Sequence, residues 1–229
     1  MEAPWLTALL QTADALFPTG AYAHSLGLEE SIRLGVVHDG VSLRAFLSKQ
    51  LVPALREQEL PYLRFAYQSA EAGDLAALCS LDREIGAWKL PFETRQASAQ
   101  IGVRRLRSLL VINDAALLHA FAARVEDGFA TGHHLIICAL QAVAESIPLE
   151  AALAAYFYQT LASACTAALK LMRIGQDACQ RVLRSALRDA QDAVERSLSV
   201  AREDAGWFNP LLEIASMRHE RAEERMFIS

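Results

Sequence analysis

The segment VSLRAFLSKQLVPAL, residues 41–55, shows most directly how this chain folds. Its apolar side chains recur at the spacing i, i+3, i+4 and i+8: Leu43, Phe46, Leu47 and Leu51. This spacing places them along one face of an α-helix, so the segment is predicted to be amphipathic, with one buried side. Ser42 is a candidate cap for its first turn.

Proline and aspartate residues mark where neighbouring helices start and stop. Pro53 lacks a backbone N–H and crowds the preceding turn, so we expect the helix to kink or end there. Pro61 is predicted to open the next helix and Asp74 to cap the one after it. Pro148 is predicted to start the long alanine-rich segment LEAALAAYFYQTLASACTAALKLM.

The rest of the chain repeats this helical pattern. No run alternates apolar and polar residues with the period of a strand, and no spacer or fixed-period repeat divides the sequence. The predicted fold is therefore all-α, a single compact bundle of about ten helices. Residues 1–205 form the helical body, and residues 206–229 form a C-terminal tail of the same domain. Near its end the tail carries Met226, Phe227 and Ile228, which require a covering surface in the same chain or in a partner.

Composition argues against several classes of protein. Hydrophobic residues make up 53% and charged residues 21% of the 229 residues, as in a globular chain with an aliphatic core. A net charge of −5 provides no overall field that would attract nucleic acid. The longest nearly apolar run, residues 135–144, is about half as long as a membrane-spanning helix. We expect neither a nucleic-acid partner nor a membrane span.

The cysteines and the N-terminus indicate a cytoplasmic protein. The four cysteines are widely spaced and form no C-x-x-C pair, which favours free thiols over disulfides or a structural zinc site. Glu2 stands where a secretory signal has a basic start, and Asp14 interrupts the apolar run that such a signal requires.

Motifs that would indicate catalysis are missing from the sequence. There is no P-loop, no G-x-G-x-x-G and no G-x-S-x-G, so neither nucleotide hydrolysis nor a serine nucleophile is predicted. His219 and Glu220 begin an H-E-x-x-H motif, but the second histidine does not follow. His133 and His134 are adjacent, so on a helix their side chains diverge and do not easily share one metal ion.

Two local features allow two interpretations each. Four arginines, at positions 95, 104, 105 and 107, form either a basic patch for an acidic partner or, as we favour, a solvated helix face. The stretch FPTGAYAHSLGLEE, residues 17–30, is a Pro-Thr-Gly turn followed by a helix. Taken alone, its Tyr22 and His24 could be core residues with hydrogen-bonded tips.

Four blocks in order give these features a family context: LLQTADALFPTGAYAHSLGLE (9–29), FETRQASAQIGVRRL (92–106), LKLMRIGQDACQ (169–180) and FNPLLEIASMRHERAEERMFIS (208–229). Together they resemble the UreF family of urease accessory proteins. The third block departs from the family pattern at Lys170 and Arg173. The last block departs from it at Glu224 and Met226.

The resemblance implies an all-α protein that forms homodimers and acts as an adaptor, not as an enzyme. Members of the family bind UreD (also called UreH) and the GTPase UreG, and the assembly delivers nickel into urease apoprotein. The resemblance therefore implies no catalytic residue, no cofactor and no tight metal site, since tight binding would oppose release of the nickel.

The resemblance also assigns residues to surfaces. The GTPase side is expected to include the following residues: Tyr22, His24, Glu29, Glu93 and Arg95. The UreD side is expected in the tail, at the following residues: Arg218, His219, Glu220, Arg225 and Phe227. Four further residues are expected to shape structural loops: Pro18, Gly20, Gly175 and Gln176.

Two other functions stay open on the residues alone. A helical regulator of another GTPase, or of nucleic acid, would bind its partner without any urease component. A helical metalloenzyme would retain stoichiometric metal when purified.

Overall fold

The computed structural model describes residues 3–14, 16–19, 25–220 and 226–227. Over these ranges the regular backbone is helical and contains no strand. The α-helices are α1 (Pro4–Ala13), α2 (Leu28–Arg33), α3 (Gly40–Phe46), α4 (Val52–Ala54), α5 (Leu60–Glu71), α6 (Leu75–Trp88), α7 (Phe92–Ile112), α8 (Ala116–Glu126), α9 (His134–Ala144), α10 (Leu149–Leu171), α11 (Gln176–Ala186), α12 (Ala190–Ser199) and α13 (Pro210–His219). The chain stays helical from α3 to α5 and from α11 to α12, which leaves ten helices and confirms the predicted all-α bundle.

The first turn of α3 corrects the predicted cap. Asp39, not Ser42, is the N-cap: its carboxylate accepts the backbone N–H of Ser42 at 2.8 Å. Ser42 returns the contact, since its hydroxyl accepts the Asp39 N–H at 3.0 Å, which completes a capping box. At Asp74 the prediction is confirmed, because its side chain accepts from Ala77 N at 2.9 Å at the start of α6.

Pro53 does not end the helix, which was one of the two outcomes predicted for it. Two π-helical turns, Leu47–Leu51 and Leu55–Glu59, precede the segments that contain Pro53 and Pro61. A π turn bonds i to i+5, so the wider ring gives the proline side chain room and needs no N–H from it. Pro61 is the second residue of α5, but the chain is already helical before it, so the predicted new helix does not begin there.

The core is built around α9, which lies between α5 and α7. This helix is the apolar run noted in the sequence, and Leu135, Ile136, Ile137 and Leu140 are each at most 2% exposed. A helix that is apolar all round is stable in water only when it is covered on every side, so the other helices assemble around it. α10 packs against α2, α5, α11 and α12, and α13 lies against α2 and α7.

A buried carboxylate fixes the loop that leads into α9. Asp82, on α6, is fully buried and accepts the backbone N–H groups of Thr131, Gly132 and His133, the last at 2.7 Å. These donors would otherwise be unpaired at a buried helix start. α7 crosses the same loop at Gly102.

Candidate functional site

Four of the predicted site residues lie outside the described residues: Gly20, Tyr22, His24 and Arg225. Their assigned roles remain predictions. The others can be placed, and several of them meet where α2, α7 and α13 converge.

α2 enters this meeting point through a left-handed turn. Gly27 is its N-cap, with φ +78°. Glycine adopts this conformation with less steric strain than any other residue. A Cβ added there would lie 2.8 Å from Leu212 Cδ1 and 3.3 Å from Ser216 Oγ, both on α13. The turn that begins α2 therefore also allows α13 to approach closely.

His219, at the end of α13, joins the other two helices. Its Nδ1 lies 2.8 Å from Glu93 Oε2 on α7, and its Nε2 lies 3.0 Å from Glu29 Oε2 on α2. The His219 side chain is only 3% exposed. Two residues assigned to the GTPase side and one assigned to the UreD side therefore share one buried cluster.

The chain end closes over the same carboxylate. The backbone N–H of Met226 donates to Glu29 Oε1 at 2.7 Å, and that of Phe227 donates to Glu29 Oε2 at 3.0 Å. The Phe227 ring is buried, and the Lys170 ammonium lies 5.6 Å from its centroid. Phe227 thus contacts its own chain, and the apolar tail finds part of its covering surface there.

This cluster is suited to holding helices together. Both ring nitrogens of His219 contact carboxylates, so neither is directed at an open ligand position. Among the described residues, no group of three or more histidine, cysteine, aspartate or glutamate side chains is placed to bind a metal ion. Next to the cluster, a hydrogen bond from Arg33 lowers the pKa of the Glu30 carboxyl.

Arg95 acts within its own chain. Its guanidinium donates to the carbonyl oxygen of Lys89 at 2.8 Å and to that of Leu90 at 3.3 Å. These carbonyls follow the end of α6, where helix carbonyl groups have no intrahelical partner. Arg95 therefore ties the end of α6 to the start of α7.

The remaining predicted residues are at the surface. Arg218 and Glu220 flank the buried His219 and are exposed, as are Pro18, Gly175 and Gln176. Gly175 is the N-cap of α11 with φ −74°, and a Cβ there would meet open space. These positions leave Arg218 and Glu220 accessible to a partner.

The interpretation of the arginine run as a solvated face fails at Arg105. Arg104 and Arg107 are exposed, but Arg105 is buried, donating to Gln141 Oε1 at 2.7 Å and to the Thr12 carbonyl oxygen at 3.3 Å. The sequence carried the signal, since Ile101, Arg105 and Leu109 recur at i, i+4 and i+8 on one helix face.

The two adjacent histidines have separate environments, but only His134 lies in α9, because His133 is its N-cap. His134 Nε2 lies 3.3 Å from Cys138 Sγ, one turn along α9. His133 is 1% exposed, and its Nδ1 lies 3.1 Å from Ser98 Oγ. Burial lowers the pKa of His133 to about 4, against the opposing effect of the Asp82 carboxylate.

We expect His133 to make the stability of the fold sensitive to acid. Because the pKa of this ring is about 6.5 in the unfolded chain and about 4 in the folded one, the unfolded chain takes up the proton first as pH falls. The free energy of unfolding should drop by about 2 kcal/mol between about pH 7.5 and about pH 5 from this residue alone. Urea unfolding at several pH values measures the change.

The matched comparison is between two histidine substitutions. His133→Gln should flatten this part of the pH dependence, whereas His119→Gln, at a half-exposed histidine on α8, should keep it. Equal slopes for His133→Gln and the unmodified chain would contradict the prediction.

An apolar band lies exposed along α13 and the segment before it. Its members carry large side chains that are 40% to 73% exposed: Trp207, Phe208, Leu211, Ile214 and Met217. On α13, Leu211, Ile214 and Met217 follow one another at i, i+3 and i+6, so they form a stripe. Large apolar side chains exposed together on one segment are typical of a protein–protein interface.

A groove of about 580 Å³ lies beside the buried cluster. It is lined by Gln96 and Gln100 of α7 and by Glu220, with Phe92 and Met226 as apolar residues.

In the described part of the chain, no helix combines the length and the apolar character needed to span a membrane.

Comparison with known proteins finds one family name along the chain. A family model described as UreF matches residues 37–187. The chain is 38% identical over 222 residues to a protein named urease accessory protein UreF from Arthrobacter sp. (strain FB24), covering 97% of this chain and 96% of that one. Proteins of the same name from Paenarthrobacter aurescens (strain TC1) and Bacillus sp. (strain TB-90) are 36% and 30% identical, over 100% and 98% of this chain and 100% and 99% of theirs.

Proposed function

The chain belongs to the UreF family of urease accessory proteins, and from this we propose that it is a non-catalytic adaptor in urease maturation. In this role it bridges UreD (UreH) and the GTPase UreG, regulates that GTPase, and helps to deliver nickel to urease apoprotein in the cytoplasm. The observation that carries the proposal is similarity to UreF proteins along essentially the whole chain. A sequence without a P-loop supports it, because GTP hydrolysis would then belong to the partner.

The apolar band supports the UreD side of the proposal. Aromatic and aliphatic side chains exposed on one helix can anchor a partner, with polar residues as the rim. Arg218 and Glu220 are exposed at the end of the band and suit that rim. His219 and Phe227 are buried, so their contribution is to hold α13 in place for docking.

The GTPase side is proposed at the region of residues 20–29 with the start of α7. Glu29 and Glu93 face His219, so their contribution is to position α2 and the start of α7. Tyr22 and His24 remain the proposed contacts. We also propose a homodimer. Ala164, Ala167 and Ala168 of α10 are buried within the chain, so they are not available to its interface.

The experiment that tests the proposed function compares urease from cells with and without this chain. We expect urease apoprotein from the deletion strain to lack nickel and activity, with both restored by the unmodified chain. Affinity-tagged chain should co-purify with UreD and UreG. Nickel-loaded, active urease in the deletion strain would overturn the proposal, and co-purification with another GTPase in place of UreG would favour the alternative function.

A further inference from the structure

A cavity of about 110 Å³ lies between the end of α6, the start of α7 and α13, separate from the groove beside the buried cluster. Apolar atoms provide most of its wall surface, and Leu51, Leu55 and Leu212 are among the residues that line it. The cavity has room for several water molecules. Apolar walls with a few polar groups are the usual form of a site for a small molecule.

Two buried polar atoms of the residues that line this cavity have no hydrogen-bond partner within the described part of the chain. They are the indole nitrogen Nε1 of Trp88, which is a donor, and the carboxylate oxygen Oε2 of Glu213, which is an acceptor. Over the described residues only four buried side-chain nitrogens and oxygens are unpaired, so half of them belong to one cavity. A buried polar atom without a partner is costly, and a molecule that pairs with it recovers that cost.

The charges around the cavity leave Glu213 uncompensated. Lys89 also lines it, but the Lys89 Nζ lies 3.0 Å from Glu59 Oε1 and is held by that carboxylate. Within the described residues Glu213 has no ion-pair partner, and burial raises the pKa of its carboxyl, against a weaker opposing effect of Lys89. A donor placed at Oε2 would stabilise the charged carboxylate.

We propose that this cavity binds a small molecule that carries a primary amide group. The amide carbonyl oxygen accepts the Trp88 Nε1–H, and the amide N–H donates to Glu213 Oε2. We use the name amide cavity for the space lined by Trp88, Glu213 and the three leucines.

Other small groups satisfy the two unpaired atoms less well. An ammonium or amidinium ion donates to Glu213 but has nothing to accept the Trp88 N–H. A carboxylate accepts from Trp88 but is repelled by Glu213. A hydroxyl, like water, offers donor and acceptor from one atom, whereas an amide offers them from two atoms side by side. The two unpaired atoms do not bond to each other, so a group that spans them is favoured.

Nuclear magnetic resonance of the ¹⁵N-labelled chain alone tests the site, because each of the three tryptophans gives its own indole N–H signal. Acetamide is the probe, and Trp88→Phe identifies the Trp88 signal by removing it. The Trp88 signal should shift and saturate, with half-saturation on the order of 10 mM acetamide. The signal of Trp5, on α1, should not move and serves as the internal control.

Probes of the same shape separate the amide from other groups. Acetate and acetamidinium match acetamide in size, and 2-propanol replaces the amide by a hydroxyl. Each should need a concentration about fivefold higher or more for the same shift of the Trp88 signal, since each loses one hydrogen bond or adds a repulsion. Binding of any of the three as tight as that of acetamide would overturn the assignment of the ligand class.

A matched pair of variants locates the site. Glu213→Gln keeps the shape of the side chain and removes its charge, and it should raise the half-saturating acetamide concentration about fivefold or more. Glu203→Gln, at an exposed glutamate outside the cavity, should leave it unchanged. Circular dichroism checks that both variants keep their helical content, and the probe series on the unmodified chain stands without them.

Two results would overturn the amide cavity: a Trp88 signal that acetamide does not shift in a saturable way, and a shift that Glu213→Gln leaves unchanged. Both are independent of the adaptor proposal, because no urease component is present in the experiment. Conversely, urease that matures without this chain would overturn the adaptor role and leave the binding measurement as it is.

Discussion

Replacing Leu211 and Ile214 together with aspartate is expected to weaken the complex with UreD about a thousandfold. Both side chains belong to the exposed apolar band, at 73% and 50% exposure. On the proposed function they become buried against the partner, and an interface that closes over two unpaired carboxylates loses apolar burial and gains a desolvation penalty. Because the residues contribute little to the core, the free energy of unfolding should change by less than about 0.5 kcal/mol.

The measurement is titration calorimetry or surface binding with purified UreD, alongside urea unfolding of the variant. The matched control is the pair Val111→Asp and Ile112→Asp, which are 83% and 48% exposed at the end of α7. The control should keep the affinity of the unmodified chain. Equal affinity of the α13 variant and the unmodified chain would exclude the apolar band as the UreD surface.

Sequence periodicity predicted the helices well because a helix is decided by spacings of three and four residues. The stripe through Leu43, Phe46 and Leu47 is buried as expected. The π-helical turn before Pro53 was less predictable, because tertiary packing, and not the local sequence, determines whether a turn widens. Similarly, Ser42 was predicted as the N-cap of α3 because a serine hydroxyl can cap a helix. The structure uses Asp39, three residues earlier, whose carboxylate caps the same helix.

The candidate site depended on contacts that no local pattern contains. His219 and Glu29 are 190 positions apart, and only packing of α13 against α2 brings them together. Resemblance to a family singled out both residues but assigned them to different surfaces. The two residues meet because both side chains are largely buried in the fold. The sequence around His219 is rich in charged residues, so it gives no sign that this histidine is buried.

Asp82 illustrates the same limit, because its acceptor role depends on residues about 50 positions later. In the sequence it is followed by Arg83 and Glu84. Three consecutive charged residues in a helix are typical of a turn exposed to solvent. Its burial becomes apparent only when the loop before α9 is placed beside it.

Gly102→Ala is expected to destabilise the fold by about 4 kcal/mol or more, because this position accepts no Cβ. An added Cβ would lie 2.0 Å from the Gly132 carbonyl oxygen, 2.7 Å from His134 N and 2.8 Å from His133 C, all of them backbone atoms. That loop cannot shift freely, since Asp82 holds three of its N–H groups. Relief of the clash must therefore break those bonds or separate α7 from α9. The higher helix propensity of alanine offsets only about 1 kcal/mol.

Urea unfolding followed by circular dichroism measures this loss, with Gly206→Ala as the control because a Cβ there meets open space. The control should change the free energy of unfolding by less than about 1 kcal/mol. Since α7 also carries Glu93, which contacts His219 at the end of α13, exchange at residues 210–219 should rise together with the loss of stability. A Gly102→Ala chain as stable as the unmodified one would show that α7 and the loop before α9 do not approach as closely as described.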